Sequence, residues 1–156
     1  MKKKSVKICM VSSSGGHLKE LNELRMISEK YDTFQITELD KFSNIRIGNR
    51  QYYVRKIDRD EKYFLFNFLL IFIKTMVCFF RERPNIILTT GALVAYPACV
   101  IGKLMGAKVI FVESFARTKK LSLTGKLVYK FVDLFIVQWP TLSEKHPKAK
   151  YYGGLF

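Results

Sequence analysis

The chain has 156 residues, of which 49% are hydrophobic, so it can form one domain with a core, and a disordered chain is excluded. It is too short for two Rossmann-like domains. Lys and Arg number 27 against 13 Asp and Glu, and the formal net charge of +14 favours an anionic partner such as nucleic acid, an acidic lipid surface or a phosphorylated substrate. The 13 Phe favour the lipid surface, because nucleic acid binding does not require them.

The cysteines and histidines predict neither a disulfide nor a metal site. Cys9, Cys78 and Cys99 are odd in number and form no C-x-x-C pair, and the chain has only two histidines. We therefore expect a reducing compartment. The apolar run Ile8–Val11 is far shorter than the core of a signal peptide, so we expect no export.

Strands and helices alternate along the chain, which predicts a single α/β domain over residues 1–156, a Rossmann-like, doubly wound parallel sheet. The expected strands are Val6–Ser12, Thr33–Thr37, Gln51–Ile57, Asn85–Thr89, Lys108–Val112 and Leu134–Val137. The expected helices are Leu18–Lys30, Val94–Met105 and Ser122–Phe131.

The segment Tyr63–Phe80 differs from the rest, because 15 of its 18 residues are apolar or aromatic. Asn67, Lys74 and Arg81 recur every seven residues and lie on one narrow face of a helix. Lys74 near the middle of a membrane span would cost about 2.5–3.5 kcal/mol, so we favour a helix in the membrane interface over residues 62–82. The expected membrane residues are Phe64, Phe68, Phe72, Lys74, Phe79 and Arg81. A buried core helix, a contact with a partner and a true span remain alternatives.

The first candidate site is the turn from Ser12 to His17, between a strand and a helix. Its glycines let the backbone approach a ligand, and the amides of a helix N-terminus attract an anion. The turn matches neither G-x-G-x-x-G nor a P-loop, so a bound dinucleotide or ATP is disfavoured. His17 could be a general base or a phosphate contact, or a helix-start residue bonded to the backbone.

Two further candidate sites follow later strands, at the edge where open α/β sheets bind ligands. One is Thr90-Gly91 with Tyr96 beyond it, for which an ordinary turn is the alternative. The other is Glu113-Ser114 followed by Arg117, where the carboxylate could orient a sugar hydroxyl or form a structural ion pair.

These motifs resemble those of one family, the membrane-anchor subunits of split, UDP-sugar-dependent glycosyltransferases. In eukaryotes this subunit helps to add the second N-acetylglucosamine to the dolichol-linked precursor, and bacterial relatives serve capsular and exopolysaccharide assembly. The resemblance lies in Ser14–His17, Thr90–Gly91, Phe111–Arg117, Leu121–Lys126, Asp133–Pro140 and Tyr152–Gly154.

The resemblance implies the N-terminal, acceptor-side half of a GT-B enzyme cut into two proteins. The donor-binding partner subunit would hold the UDP-sugar, so this chain would carry no cofactor and would be inactive alone. The pair would be an inverting transferase that extends a polyprenyl-diphosphate-linked glycan at the cytoplasmic face of the cell membrane. Eukaryotic members usually begin with a spanning helix, and its absence here favours the bacterial branch.

The resemblance also suggests roles for the candidate residues. His17 and Glu113 would be catalytic, and the partner would contact Tyr152, Leu155 and Phe156. The acceptor would be held by Ser14, Gly15, Gly16, Thr90, Gly91, Tyr96, Ser114 and Arg117. The alternatives are a non-catalytic anchor that recruits an active transferase, a stand-alone nucleotide-binding domain and, last, a basic nucleic-acid binder.

Overall fold

Seven parallel strands form one sheet in the computed structural model, which describes residues 6–39, 44–58 and 60–156. The strands are β1 Lys7–Ser12, β2 Asp32–Glu38, β3 Arg50–Val54, β4 Ile86–Gly91, β5 Lys108–Val112, β6 Leu134–Val137 and β7 Ala149–Tyr151. Their order, β3-β2-β1-β4-β5-β6-β7, contains the 3-2-1-4-5-6 order of Rossmann folds. The predicted fold class is confirmed. Residues 1–5, 40–43 and 59 of the expected domain lie outside the described residues.

Six helices accompany the sheet in the described residues. They are α1 Gly16–Glu23, α2 Ile27–Lys30, α3 Phe64–Glu82, α4 Ala95–Leu104, α5 Leu123–Val128 and α6 Pro140–Lys145. The single helix expected over Leu18–Lys30 is wrong, because Leu24 and Arg25 donate to carbonyls three residues back and so end α1. The short elements α6 and β7 were not expected, and Pro140 stands at the first turn of α6.

Successive apolar side chains of β1, β4, β5 and β6 enter different clusters on the two faces of the sheet. Cys9 and Val11 of β1 belong to a large core under α3, α4 and α5, whereas Ile8 and Met10 belong to a smaller one under α1. The smaller cluster leaves apolar side chains of β4, β5 and β6 only partly covered. One face of the sheet is therefore open near its β6 end.

Helix α3 packs against the core with a face that includes Asn67 of the expected polar stripe but not Lys74 or Arg81. The inner side chains are Asn67, Ile71, Thr75, Cys78, Phe79 and Glu82. Asn67 donates to Glu61 at 2.9 Å, so this buried amide has a partner. The prediction that Phe79 contacts the membrane is wrong, because Phe79 is fully buried against Phe34.

The outer face of α3 is apolar and exposed. It consists of Leu65, Phe66, Leu69, Leu70, Ile73, Met76, Val77 and Phe80, and we call it the α3 apolar face. Lys74 and Arg81 are exposed as expected, but Phe64, Phe68 and Phe72 are half-buried on the side packed against the core. With a mean hydropathy of 1.8, α3 is long and apolar enough to cross a membrane by length and composition alone.

Candidate functional site

A cleft of about 1120 Å³ opens at the carboxyl ends of the central strands. This is slightly above the usual ~300–1,000 Å³ of small-molecule sites. Two of the predicted regions meet there, Ser14 with His17 after β1 and Ser114 with Arg117 after β5. After β4 the lining residues are Ala92 and Leu93, whereas the predicted Gly15, Gly16, Thr90 and Gly91 do not line the cleft. The parallel sheet causes this meeting, because it brings the loops after β1, β4 and β5 to one edge.

A reciprocal pair of hydrogen bonds joins His17, at the start of α1, to Thr90, at the end of β4. The Thr90 hydroxyl donates to the carbonyl of His17 at 2.7 Å, and the His17 Nδ1 lies 2.8 Å from the Thr90 carbonyl. A carbonyl only accepts, so Nδ1 carries the proton of this bond. In the neutral ring, Nε2 is then the proton acceptor, as a general base requires.

Two glycines make this arrangement possible. Gly15 has φ +80° and Gly91 has φ +102°, a backbone region that favours glycine. A Cβ at Gly91 would lie 3.6 Å from the His17 ring and 3.3 Å from the Phe111 ring. The predicted glycines are therefore needed for the turn and for the packing of His17.

Glu38, at the end of β2, is a candidate residue that we did not predict. It lines the cleft, is buried, and accepts hydrogen bonds from the amide and the hydroxyl of Ser14 at 3.3 and 3.2 Å. Desolvation by burial raises the pKa of Glu38, although the bonds from Ser14 act to lower it. A carboxyl group with a raised pKa in a cleft is typical of functional sites.

We expect the Glu38→Gln variant to be more stable than the wild type at neutral pH, because burial makes ionised Glu38 oppose folding. Since the folded pKa is raised, wild-type stability falls as the pH increases through that pKa. Denaturant unfolding at several pH values should show the difference vanishing below pH 4.5, the ordinary pKa of the side chain. An equal difference at acid and neutral pH would contradict this origin.

Glu113 is 1% exposed, and hydrogen bonds from within the chain engage both of its carboxylate oxygens. Oε1 accepts from the Ser114 amide at 3.0 Å, and Oε2 accepts from the Ser122 amide and hydroxyl at 2.9 and 3.1 Å. Ser122 in turn caps α5 by accepting from the Gly125 amide. This geometry makes Glu113 a support for the cleft loop, while its predicted contact with the acceptor stays untested.

Four basic side chains line the cleft, together with the carboxyl groups of Glu38, Asp58 and Asp60. Arg117 was predicted, whereas Lys56, Lys120 and Lys126 were not. Within the described ranges, none of the four has an ion-pair partner. Unpaired cations around a concave site attract anionic ligands such as phosphates.

Tyr96 lies away from the cleft lining. Its ring packs against Phe68 and Phe72 of α3, with centroids 6.4 and 6.3 Å apart. Tyr96 thus connects α4 to α3, and its predicted role in acceptor binding has no contact behind it.

The C-terminal residues border the open face of the sheet. Leu155 donates its amide to Gln138 at 2.9 Å, and the Phe156 ring packs edge-on against Phe115. Tyr152 and Leu155 line an apolar groove of about 490 Å³ over Ile110 and Ile136. The residues expected to contact a partner therefore lie in and beside an exposed apolar surface.

Comparison with solved structures gives neighbours of the same fold. The chain superposes on a UDP-N-acetylglucosamine 2-epimerase from Rickettsia bellii with a TM-score of 0.72 at 12% identity, over 97% of this chain and 45% of that one. It superposes on Acinetobacter baumannii MurG with a TM-score of 0.67 at 14% identity, over 87% and 42%. The chain spans less than half of either structure, and the likeness concerns the fold.

Sequence comparison gives relatives that match most of this chain. The human UDP-N-acetylglucosamine transferase subunit ALG14 is 29% identical over 98% of this chain and 84% of its own length. The protein of the same name from Candida albicans is 30% identical, over 99% and 81%. The model of the family described as oligosaccharide biosynthesis protein Alg14 like matches residues 8–155. The resemblance predicted from the motifs is thus confirmed, and the chain belongs to the Alg14-like family of oligosaccharide biosynthesis proteins.

Proposed function

We propose that this chain is the acceptor-binding subunit of a two-protein UDP-sugar glycosyltransferase that extends a polyprenyl-diphosphate-linked glycan. The observation that carries the proposal is His17, whose Nδ1 is engaged by Thr90 at the wall of a cleft that also contains four basic side chains. This arrangement leaves Nε2 as the proton acceptor beside a site suited to a phosphorylated ligand.

The proposed reaction is a direct, inverting displacement. An acceptor hydroxyl attacks C1 of the UDP-sugar, the bond from C1 to the diphosphate oxygen breaks, and UDP leaves. The proton of the hydroxyl passes to His17 Nε2. The diphosphate of the acceptor is neutralised by Arg117, Lys120 and Lys126. Backbone amides of the turn at Gly15 and Gly16 assist them.

A second protein would supply the UDP-sugar. This chain corresponds to less than half of the epimerase and of MurG, and it has no nucleotide fingerprint of its own. The apolar groove beside Tyr152 and Leu155 offers the donor-binding subunit a surface next to the cleft loop. A partly open, largely aliphatic surface of this kind suits the apolar centre of a protein interface.

The relatives' names suggest N-acetylglucosamine as the first sugar to test. Galactose, glucose and glucuronate also suit the family resemblance. The relatives named above are eukaryotic, so a role in capsular or exopolysaccharide synthesis remains a proposal from the resemblance alone.

We place the subunit at the cytoplasmic face of the membrane, with α3 in the interface. Its inner face packs on the domain and its apolar face is exposed, which supports an interfacial helix more than a span. Lys62, Lys74, Arg81 and Arg83 are exposed along and beside this helix, where they can meet anionic headgroups.

The double variant Leu69→Glu/Val77→Glu should bind vesicles of phosphatidylcholine and phosphatidylglycerol at least about 100-fold more weakly, because each side chain contributes about 1.5–3 kcal/mol when it is buried. Both residues are exposed, so the fold should persist. Sedimentation with vesicles measures the loss. Leu104→Glu, on the exposed surface of α4, is the matched control, and equal sedimentation of all three proteins would contradict an interfacial α3.

The proposed function is tested by transfer from UDP-sugars to a lipid-diphosphate-linked acceptor in membranes. Three preparations are compared: this chain, the donor-binding subunit, and both together. Activity only with both supports a split transferase. Full activity of the other subunit alone would make this chain a non-catalytic anchor. Binding of a UDP-sugar to this chain alone would instead favour a stand-alone nucleotide-binding domain.

A further inference from the structure

A second groove, distinct from the cleft, lies between α3 and the edge strand β3. Its volume is about 350 Å³, at the lower end of the ~300–1,000 Å³ of ligand pockets. The walls are mostly apolar and include Ile36, Tyr53 and Val54 from the sheet and Ile73 and Val77 from the helix. We call it the α3–β3 groove.

Two cations border this groove. Lys74 and Arg81 line it from successive positions of one helix face, two turns or about 10 Å apart. Neither forms an ion pair with any residue in 6–39, 44–58 or 60–156. The nearby carboxylate of Glu82 is already engaged by Lys7 and Arg50. An anion at this position would therefore meet unpaired positive charge.

A buried hydroxyl group also faces the groove. Thr75 is 1% exposed and lines the groove, and its Oγ1 forms no hydrogen bond in the described structure. Buried polar groups in proteins usually have a partner, and one without a partner is costly. A ligand with an acceptor oxygen, such as an ester carbonyl, would satisfy this hydroxyl.

The position of the groove indicates which class of ligand it binds. Ile73 and Val77 belong both to the groove and to the α3 apolar face, so the groove opens along the surface that we place in the membrane. We propose that the α3–β3 groove binds one anionic glycerophospholipid, with an acyl chain among its apolar walls and the phosphate between Lys74 and Arg81. This inference rests on the proposed membrane contact of α3.

The acceptor is a less suitable occupant. Helix α3 runs from the cleft edge of the sheet toward the opposite edge, where Glu82 contacts Lys7 at the start of β1. Lys74 and Arg81 lie in the middle and last turn of the helix, so this pair of cations is removed from the His17 end. The groove therefore suits a lipid of the surrounding bilayer rather than the diphosphate of the substrate.

The test uses the full chain and dihexanoylphosphatidylglycerol as a dispersed monomer, because a monomer has no membrane surface potential. Calorimetry should show saturable binding with one lipid per chain, and weaker binding of dihexanoylphosphatidylcholine. Lys74→Gln/Arg81→Gln should weaken binding of the anionic lipid roughly ten- to thirty-fold. Lys62→Gln/Arg83→Gln removes the same charge outside the groove and should leave binding within about twofold.

A third variant tests the apolar part of the site. Val77→Trp keeps the α3 apolar face hydrophobic but fills the groove, so it should abolish binding of the monomer while preserving sedimentation with vesicles. Equal losses in the two charge variants, or unchanged binding by Val77→Trp, would overturn the inference and leave the membrane contact of α3 intact. If the wild type bound neither the monomer nor the vesicles, the lipid site and the membrane contact of α3 would both be overturned.

Discussion

Replacement of His17 by Asn should lower kcat/KM of the assembled transferase by about 10²–10⁴-fold, the usual contribution of a general base. Asn is the informative substitution because its side-chain amide can take the place of Nδ1 and donate to the Thr90 carbonyl. It has no counterpart of Nε2. The variant therefore keeps the link between α1 and β4 and removes only the proposed proton acceptor. A transfer assay with purified subunits would measure the loss.

His146→Asn is the matched control for this experiment. His146 packs against Tyr129 outside the cleft lining, so its replacement should leave transfer within about twofold of the wild type. If His17→Asn retained activity within about tenfold while His17→Ala lost it, the function of His17 would be to hold Thr90. The base assignment would then be wrong.

The meeting of His17 with Thr90 could be predicted because both follow strands of a parallel sheet. Alternation of strands and helices predicts that sheet, and the sheet in turn brings its carboxyl ends to one edge. Glu38 also ends a strand, but no glycine-rich turn or motif marks it in the sequence. Its importance arises from the pairing of β1 with β2, which brings Glu38 to Ser14 across 24 residues of chain.

The orientation of α3 could not be predicted for a related reason. Periodicity defines the faces of a helix, but it does not decide which face meets the core when one is strongly apolar and the other carries Asn67 and Thr75. The inward position of Asn67 depends on Glu61, and that of Glu82 depends on Lys7, Arg50 and Tyr52. The contacts of Glu82 join distant parts of the chain, and helical periodicity reports neither these contacts nor the one between Asn67 and Glu61.

The hydrogen-bond partners of Glu113 could not be predicted either. A carboxylate after a central strand is typical of a catalytic group, and the sequence shows nothing of the amides that bind it. The loop from Ser114 to Ser122 folds back over the carboxylate and brings two backbone donors to it. Strand-end position therefore predicted a loop that lines the cleft, but not the hydrogen bonds that engage Glu113.

Glu113→Gln should lower the free energy of unfolding by about 2–3 kcal/mol, because an amide nitrogen replaces one of two acceptor oxygens. If the new NH₂ group points toward Ser114, it faces the Ser114 amide, which is itself a donor. If it points toward Ser122, it faces the Ser122 amide donor. One buried N–H therefore loses its acceptor in either orientation. Thermal unfolding should show a decrease in Tm of about 5–10 °C.

Two companion variants separate this structural role from catalysis. Glu144→Gln, on the exposed side of α6, is the control and should melt like the wild type. Gly125→Ala should also lower Tm, because a Cβ there would overlap the Glu113 Oε2 atom. The catalytic assignment predicts a different result for Glu113→Gln, namely a wild-type Tm with transfer abolished. That combination would show that the carboxylate acts on the substrate, and that the hydrogen bonds to Ser114 and Ser122 matter little for folding.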